Sequence, residues 1–289
     1  MNKPLFTGVC TAMVTPFLNG KVNHPMLRVL LKRQMDAGIP AVVLFGTTGE
    51  SPTLSDLEKL EMVRRAKDQV GDAMTVIAGT GSNDTAHTVE LSQAAQEAGA
   101  DGLLLVTPYY NKATPAGLYA HYLTIAHSVS IPIILYNVPA RTAVDIPDAV
   151  YQRLCRIPNI VGTKEASTDI TKITRIRNAC GKDFTVWSGN DELAVPSIAM
   201  GSSGVISVAS NLIPLEMRDM VHAALDGDFD TASDLQARFA PLFRLLTCEV
   251  NPIPIKAAMT KIGYDCGSCR LPLTELSAEN QERMDQFFG

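Results

Sequence analysis

Residues 159–167 read NIVGTKEAS, a short apolar run that stops at a lysine, Lys164. A strand this short and apolar along its whole length must be covered on both faces, which is the mark of a parallel sheet. Similar runs rich in Val, Ile and Leu recur at 8–15, 41–45, 74–78, 102–107, 132–136, 184–188 and 204–208, with longer amphipathic stretches between them. Eight βα units in succession predict a TIM (β/α)8 barrel over residues 1–225. A doubly wound, flavodoxin-like sheet is the rival architecture. The number of units and the lack of a GxGxxG favour the closed barrel, since 79–81 is only a lone GxG.

The punctuation of the helices agrees. Ser55 and Glu58 form a capping-box pattern, and Thr114-Pro115 sets a capping residue before a proline at the first helical position. Gly38, Gly71 and Gly99 stand where left-handed stops are expected. Asn83-Asp84-Thr85 matches a glycosylation acceptor but reads as a helix start. After residue 225 the period changes: 229–246 and 254–262 read as helices with no strand between them, and Pro252 and Pro254 break the backbone there. Residues 226–289 are therefore expected to form a C-terminal helical appendage packed on the barrel.

Composition narrows the function. The 289 residues are 46% hydrophobic and 19% charged, enough for one large core. A net charge of -5 argues against nucleic acid as a partner, because phosphate binding rests on clustered Lys and Arg. No apolar stretch approaches the roughly 18 residues of a membrane span. Six scattered cysteines lack the density of a secreted disulfide scaffold, and a cytoplasmic protein is expected. Cys266 and Cys269 form a CxxC, but no second pair or histidine cluster completes a zinc site, so they read as two small loop residues and no metal is expected.

In a barrel the active site lies at the C-terminal ends of the strands. The stretches there are GTTGE (46–50), TPYYN (107–111), YNVPART (136–142), Lys164 itself, SGND (188–191) and ISVASN (206–211). Each has a bland alternative: most lysines after a strand are solvated, adjacent tyrosines usually pack, and a single arginine usually lies in water. Their meeting at one rim points to chemistry. A desolvated amine loses its proton, and only the free base attacks a ketone, which makes Lys164 a candidate Schiff-base nucleophile. Two threonines between glycines suit a carboxylate, tyrosine hydroxyls can move protons, and Arg141 offers a planar fork for a second carboxylate.

GTTGE, TPYYN, YNVPART, KEAS (164–167), GVISV (204–208) and NPIPIK (251–256) follow in this order over essentially the whole chain. On these motifs the sequence resembles the dihydrodipicolinate synthase family, pyruvate-dependent class I aldolase-like lyases of the N-acetylneuraminate lyase superfamily. The resemblance implies a Schiff base between Lys164 and pyruvate, with Tyr136 as general acid/base. Thr47 and Tyr110 would complete a proton relay, Tyr110 reaching into the neighbouring subunit of a dimer or tetramer. Thr48 and the backbone around Ile206 would hold pyruvate, Gly189 would supply a carbonyl, and Arg141 would bind the carboxylate of L-aspartate 4-semialdehyde. No metal or organic cofactor is implied.

Within the superfamily an N-acetylneuraminate lyase or a 2-keto-3-deoxy sugar acid aldolase is the alternative; Arg141 argues for the synthase. A noncatalytic 2-oxo acid sensor would have lost part of the relay. One departure concerns regulation. Where lysine-inhibited members carry histidines and a glutamate beside a retained asparagine and tyrosine, this chain has Asp56, Lys59 and His87 beside Asn83, Tyr109 and Ser51, and Pro52 stiffens the loop. Weak feedback by L-lysine is the expectation.

Overall fold

The computed structural model describes residues 4–289, and in it the eight apolar runs become the parallel strands of one closed barrel. These are β1 (Gly8–Ala12), β4 (Ala41–Leu44), β5 (Thr75–Ala78), β6 (Gly102–Val106), β7 (Ile133–Asn137), β8 (Ile160–Glu165), β9 (Thr185–Ser188) and β10 (Gly204–Ser207). Closure is made by β1, whose Cys10 registers with Ala41 of β4 on one side and Ile206 of β10 on the other. Lys164 lies within β8 as its penultimate residue, not beyond it. Between β1 and β4 the chain inserts a two-stranded hairpin, β2 (Phe17–Leu18) and β3 (Lys21–Val22), that the apolar runs do not reveal. Its turn is Asn19-Gly20, both at positive φ (52° and 74°), the dipeptide that matches the twist of such hairpins.

The helices are α1 (His24–Asp36), α2 (Asp56–Val70), α3 (Thr85–Glu97), α4 (Pro115–Ser128), α5 (Pro139–Thr142), α6 (Asp148–Leu154), α7 (Thr171–Cys180), α8 (Ala194–Ala199), α9 (Pro214–Leu225), α10 (Phe229–Leu245), α11 (Ile253–Lys261) and α12 (Ala278–Phe288). Their caps are those the sequence predicts. Ser55 and Glu58 close a reciprocal capping box on α2, Asp84 caps α3, and Thr114 caps α4. None of these helices is long and apolar enough to cross a membrane.

Alternation along each strand divides the interior in two. Side chains pointing outward, such as Val42, Leu44, Leu103, Leu105 and Ile133, join the main core beneath the helices. Those pointing inward, among them Cys10, Val43, Ile77, Leu104, Ile134, Trp187 and Ile206, fill the barrel itself. Phe6 stacks on Trp187 with ring centroids 4.7 Å apart and closes the end below β1.

The appendage packs on the barrel through α10, which lies against α8 and α9. Pro252 and Pro254 do not merely interrupt the chain: Pro252 caps α11 and Pro254 lies in its first turn, where a missing N–H costs nothing. The polar α12, which buries only Met284 fully, goes beyond the sequence reading. A buried ion pair latches this region to the barrel. Lys256 of NPIPIK meets Glu50 of GTTGE at 2.7 Å, with both side chains buried, and the Arg270 backbone N–H donates to the other Glu50 oxygen at 2.8 Å.

Candidate active site

The register of the sheet assembles the site. Tyr136 of β7 is the direct partner of Lys164 of β8, which in turn pairs with Trp187 of β9. Because β7 and β8 are parallel and in step, both side chains leave the wall at the same height and enter the barrel together. The Lys164 Nζ lies 4.4 Å from the centroid of the Tyr136 ring, and the two residues are only 5% and 6% exposed. Beside them Gly189 leaves room that no other residue could. A Cβ there would sit 2.6 Å from the Ala166 Cβ and 2.9 Å from the Lys164 Cε. Its N–H donates to the Glu165 carbonyl at 2.7 Å, which fixes the backbone of SGND against β8.

Two further ionisable groups sense the amine. Burial pushes the Cys10 thiol far up, against the pull of the Lys164 charge. Asp191 is half-buried with one carboxyl oxygen shut off from solvent, and desolvation holds its carboxyl above the usual carboxylate range. The Ser207 hydroxyl, the N–H groups of Ala209 and Val208 (2.9 and 3.1 Å) and the Lys164 charge oppose that rise. Its second oxygen has no hydrogen-bond partner in the protein. Asp191 was visible in SGND but carried no role from sequence, since nothing local marks its carboxyl as desolvated.

The GTTGE turn is tied down on two sides. Within it the Gly49 N–H donates to the Gly46 carbonyl at 3.1 Å and the Thr15 hydroxyl donates to the Gly49 carbonyl at 2.7 Å. Thr48 is buried, and its hydroxyl accepts from the Asn251 side chain at 3.0 Å. Asn251, first residue of NPIPIK, thus brings the appendage into the site, a role its place before a proline does not announce. Asn211 acts similarly on the last strand: its amide donates to the Ala12 carbonyl at 2.8 Å and its oxygen accepts from the Val14 N–H at 3.1 Å.

A cavity of about 700 Å³ opens over this arrangement, lined by Thr47, Tyr136, Arg141, Tyr109 and Asn251. The same cavity runs on to Asp56, Lys59, Asn83 and His87. There the Asp56 carboxylate is hydrogen-bonded to His87 Nε2 at 2.8 Å and paired with Lys59 at 3.3 Å. Burial would raise Asp56, but these two partners hold it below the usual carboxylate range.

Lys164 therefore touches the Tyr136 ring and packs beside Gly189, Thr47 and Arg141 share the cavity that Tyr136 lines, and Thr48 stands in the turn behind Thr47. Ile206 is a fully buried residue of β10. Tyr110 stands apart from the others: it is 89% exposed, lies outside the cavity, and its φ of 71° is unusual for an aromatic residue. The CxxC is apart from all of this. All six cysteines are free thiols, and burial raises Cys266 to about 12 and Cys269 to about 11. Among the described residues no group of three or more His, Cys, Asp or Glu could hold a metal ion.

A (β/α)8 barrel with a buried lysine–tyrosine pair at its strand ends is the arrangement expected of a Schiff-base-forming lyase of the aldolase type. Comparison with known proteins makes this particular. The model of the Dihydrodipicolinate synthetase family matches residues 5–288, and the chain belongs to that family. A 4-hydroxy-tetrahydrodipicolinate synthase of Acetivibrio thermocellus is 45% identical over 286 residues, covering 99% of this chain and 97% of that protein. The crystal structure of a dihydrodipicolinate synthase from Aquifex aeolicus superposes with a TM-score of 0.96 at 42% identity, covering 98% of this chain and 97% of that one. One from Acinetobacter baumannii, described as chloride inhibited and complexed with pyruvate, gives 0.94 at 40% identity over 97% of both chains.

Proposed function

We propose that this chain, as a 4-hydroxy-tetrahydrodipicolinate synthase, condenses pyruvate with L-aspartate 4-semialdehyde through an imine on Lys164. The observation that carries the reading is the Lys164 Nζ poised 4.4 Å from the Tyr136 ring inside the barrel. The free amine attacks the pyruvate ketone, and Tyr136 supplies the proton with which the carbinolamine loses water. The imine nitrogen then acts as an electron sink: a C3 proton leaves, and the resulting enamine attacks the aldehyde carbon. Finally the amino group of the adduct attacks the imine carbon, closes the ring and releases Lys164.

In this proposal Thr47, and Tyr110 from a neighbouring copy, relay the proton that Tyr136 handles. Thr48 and the backbone at Ile206 hold the pyruvate carboxylate, the Gly189 carbonyl orients the intermediate, and Arg141 receives the carboxylate of the semialdehyde. Arg141 suits that role because it is exposed and lines the same cavity as Tyr136. The chemistry asks for no metal and no organic cofactor. A homo-oligomer, dimer or tetramer, working in the cytoplasm completes the proposal; the free thiols fit such a compartment.

The test is reduction with borohydride in the presence of pyruvate. Mass spectrometry should find the reduced adduct on Lys164, and Lys164→Ala should abolish it; an adduct on Lys172 or Lys256 with Lys164 untouched would refute the mechanism. Substrate choice is read in the same preparation. Faster cleavage of N-acetylneuraminate or a deoxy sugar acid than condensation with the semialdehyde would replace the synthase by a sugar-acid aldolase.

A further inference from the structure

Each catalytic strand position has an outward-facing successor, and these two residues are bonded to one another. Asn137 follows Tyr136 and Glu165 follows Lys164, and the register pairs Asn137 with Glu165 as it pairs Tyr136 with Lys164. Alternation turns the second pair to the helix side of the wall, where both are buried. The Asn137 amide donates to Glu165 Oε2 at 2.9 Å and to Asp145 Oδ1 at 2.8 Å, while its oxygen accepts from the Ile146 N–H at 3.0 Å. Both amide hydrogens and the oxygen are thereby engaged, so the group has one orientation only.

The partners of this amide lie on segments that also carry site residues. Glu165 lies next to Lys164 and also accepts from the Ser167 N–H at 2.7 Å. Asp145 and Ile146 lie in the connection from β7 to α6, which starts at Val138 directly after Asn137 and carries Arg141 on the short α5. Lys172 of α7 reaches the same point: it is paired with Asp145, and its Nζ donates to the Ile146 carbonyl at 3.0 Å. Burial raises the Glu165 carboxyl, against the hydrogen bonds from Ser167 and Asn137 and the Lys172 charge. Two carboxylates around one neutral donor explain the residue type. Asparagine supplies two N–H groups where aspartate would add a third acidic group.

We propose that Asn137 and Glu165 are positioning residues, a buried bridge behind the wall that holds Tyr136 and Lys164 in step and, through Asp145, anchors the loop presenting Arg141. The inference rests on the roles proposed above for Lys164, Tyr136 and Arg141. It separates two effects. Loosening the loop alone should weaken the second substrate, whereas loosening the bridge should also disturb the imine.

The experiment compares Asp145→Ala and Asn137→Ala with the wild type in three readouts: the rate of borohydride trapping of pyruvate on Lys164, and the KM of each substrate. Asp145→Ala should raise the KM for the semialdehyde by about tenfold and leave trapping and the pyruvate KM within about twofold, because about an ångström of misplacement is enough to cost catalysis heavily. Asn137→Ala should do the same and slow trapping by about tenfold as well. A semialdehyde KM within twofold of wild type in Asp145→Ala, or an equal rise for both substrates, overturns the proposal. Trapping within about twofold of wild type in Asn137→Ala or, should that variant fail to fold, in Asn137→Ser overturns the bridge, while Asp145→Ala, its side chain being half exposed, decides the anchoring of the loop. A wild type that does not trap pyruvate on Lys164 brings down the underlying mechanism instead.

Discussion

Lys59 is a buried ammonium whose Nζ lies 3.3 Å from Asp56, and Asp56 is also bonded to His87. In the lysine-inhibited members that this chain resembles, the corresponding positions recognise the effector with histidines and a glutamate. Here Asp56 already serves two partners, so little of its charge is left for an incoming α-ammonium. A lysine side chain brought to about 4 Å from Lys59 would meet a repulsion of up to ~4 kcal/mol at an effective dielectric near 20. Asp56 cancels part of this, yet a quarter of it weakens binding several-fold. L-lysine is therefore expected to inhibit weakly or not at all. Titration with both substrates near their KM values checks it, and strong inhibition at sub-millimolar lysine would show that this charge arrangement does not govern the site. At this scale the sequence was informative where chemistry needs a particular residue type. Lys164, Tyr136 and Arg141 stood out for that reason. Asp191, Asn137 and Asn251 did not, because an ordinary polar residue gains its meaning only from burial and from partners distant in sequence.

Elements were legible in proportion to how local their causes are. The eight strands announced themselves by apolar runs, and the capping box of α2 by two side chains three residues apart. The β2–β3 hairpin was readable in Asn19-Gly20, but two-residue strands carry no run to draw attention to them. The Glu50–Lys256 latch spans 206 positions, and no periodicity relates its ends. The start of α2 joins the two kinds of cause. Glu58 completes the local box with Ser55 and also receives the Arg270 guanidinium at 2.5 and 2.9 Å. The Arg270 hydrogen bond is the main reason that its carboxyl falls from 4.5 to about 2, against a partial desolvation cost. A depressed folded-state pKa stabilises the fold above the ordinary value near 4.5 and ceases to do so as pH falls toward about 2. Glu58→Gln should thus cost about 1 kcal/mol at pH 7, the scale of a cap or a half-exposed pair. The gap to wild type should narrow as pH drops from 5 to 3. Denaturant midpoints of both proteins across that range decide the matter, and a constant gap would mean that the carboxylate charge is not what the cap and latch use.

At the scale of the molecule the barrel was visible in the sequence, and because a TIM barrel places catalytic groups by topology, knowing the strand ends is nearly knowing the rim. Tyr110 is the expected relay residue that the fold does not bring to Tyr136. Its ring projects into solvent at 89% exposure from a backbone held at φ 71°, outside the cavity that Thr47 and Tyr136 line. Leu57 and Leu271 are also largely uncovered, at 80% and 79%. A strained, exposed tyrosine is costly unless something else fixes it, and strain of this kind belongs to functional positions. If Tyr110 completes the relay of a neighbouring copy, a monomer should be nearly inert, and Tyr110→Phe and Lys164→Ala should each be inactive alone. Mixed one to one under conditions of proven subunit exchange, half of the dimers pair the two variants. Each such dimer holds one site with an intact lysine and a partner's intact tyrosine, so roughly a quarter of wild-type activity should return. No recovery despite exchange, confirmed by mass spectrometry of the mixed species, would mean that each chain completes its own site and that Tyr110 is exposed for another reason.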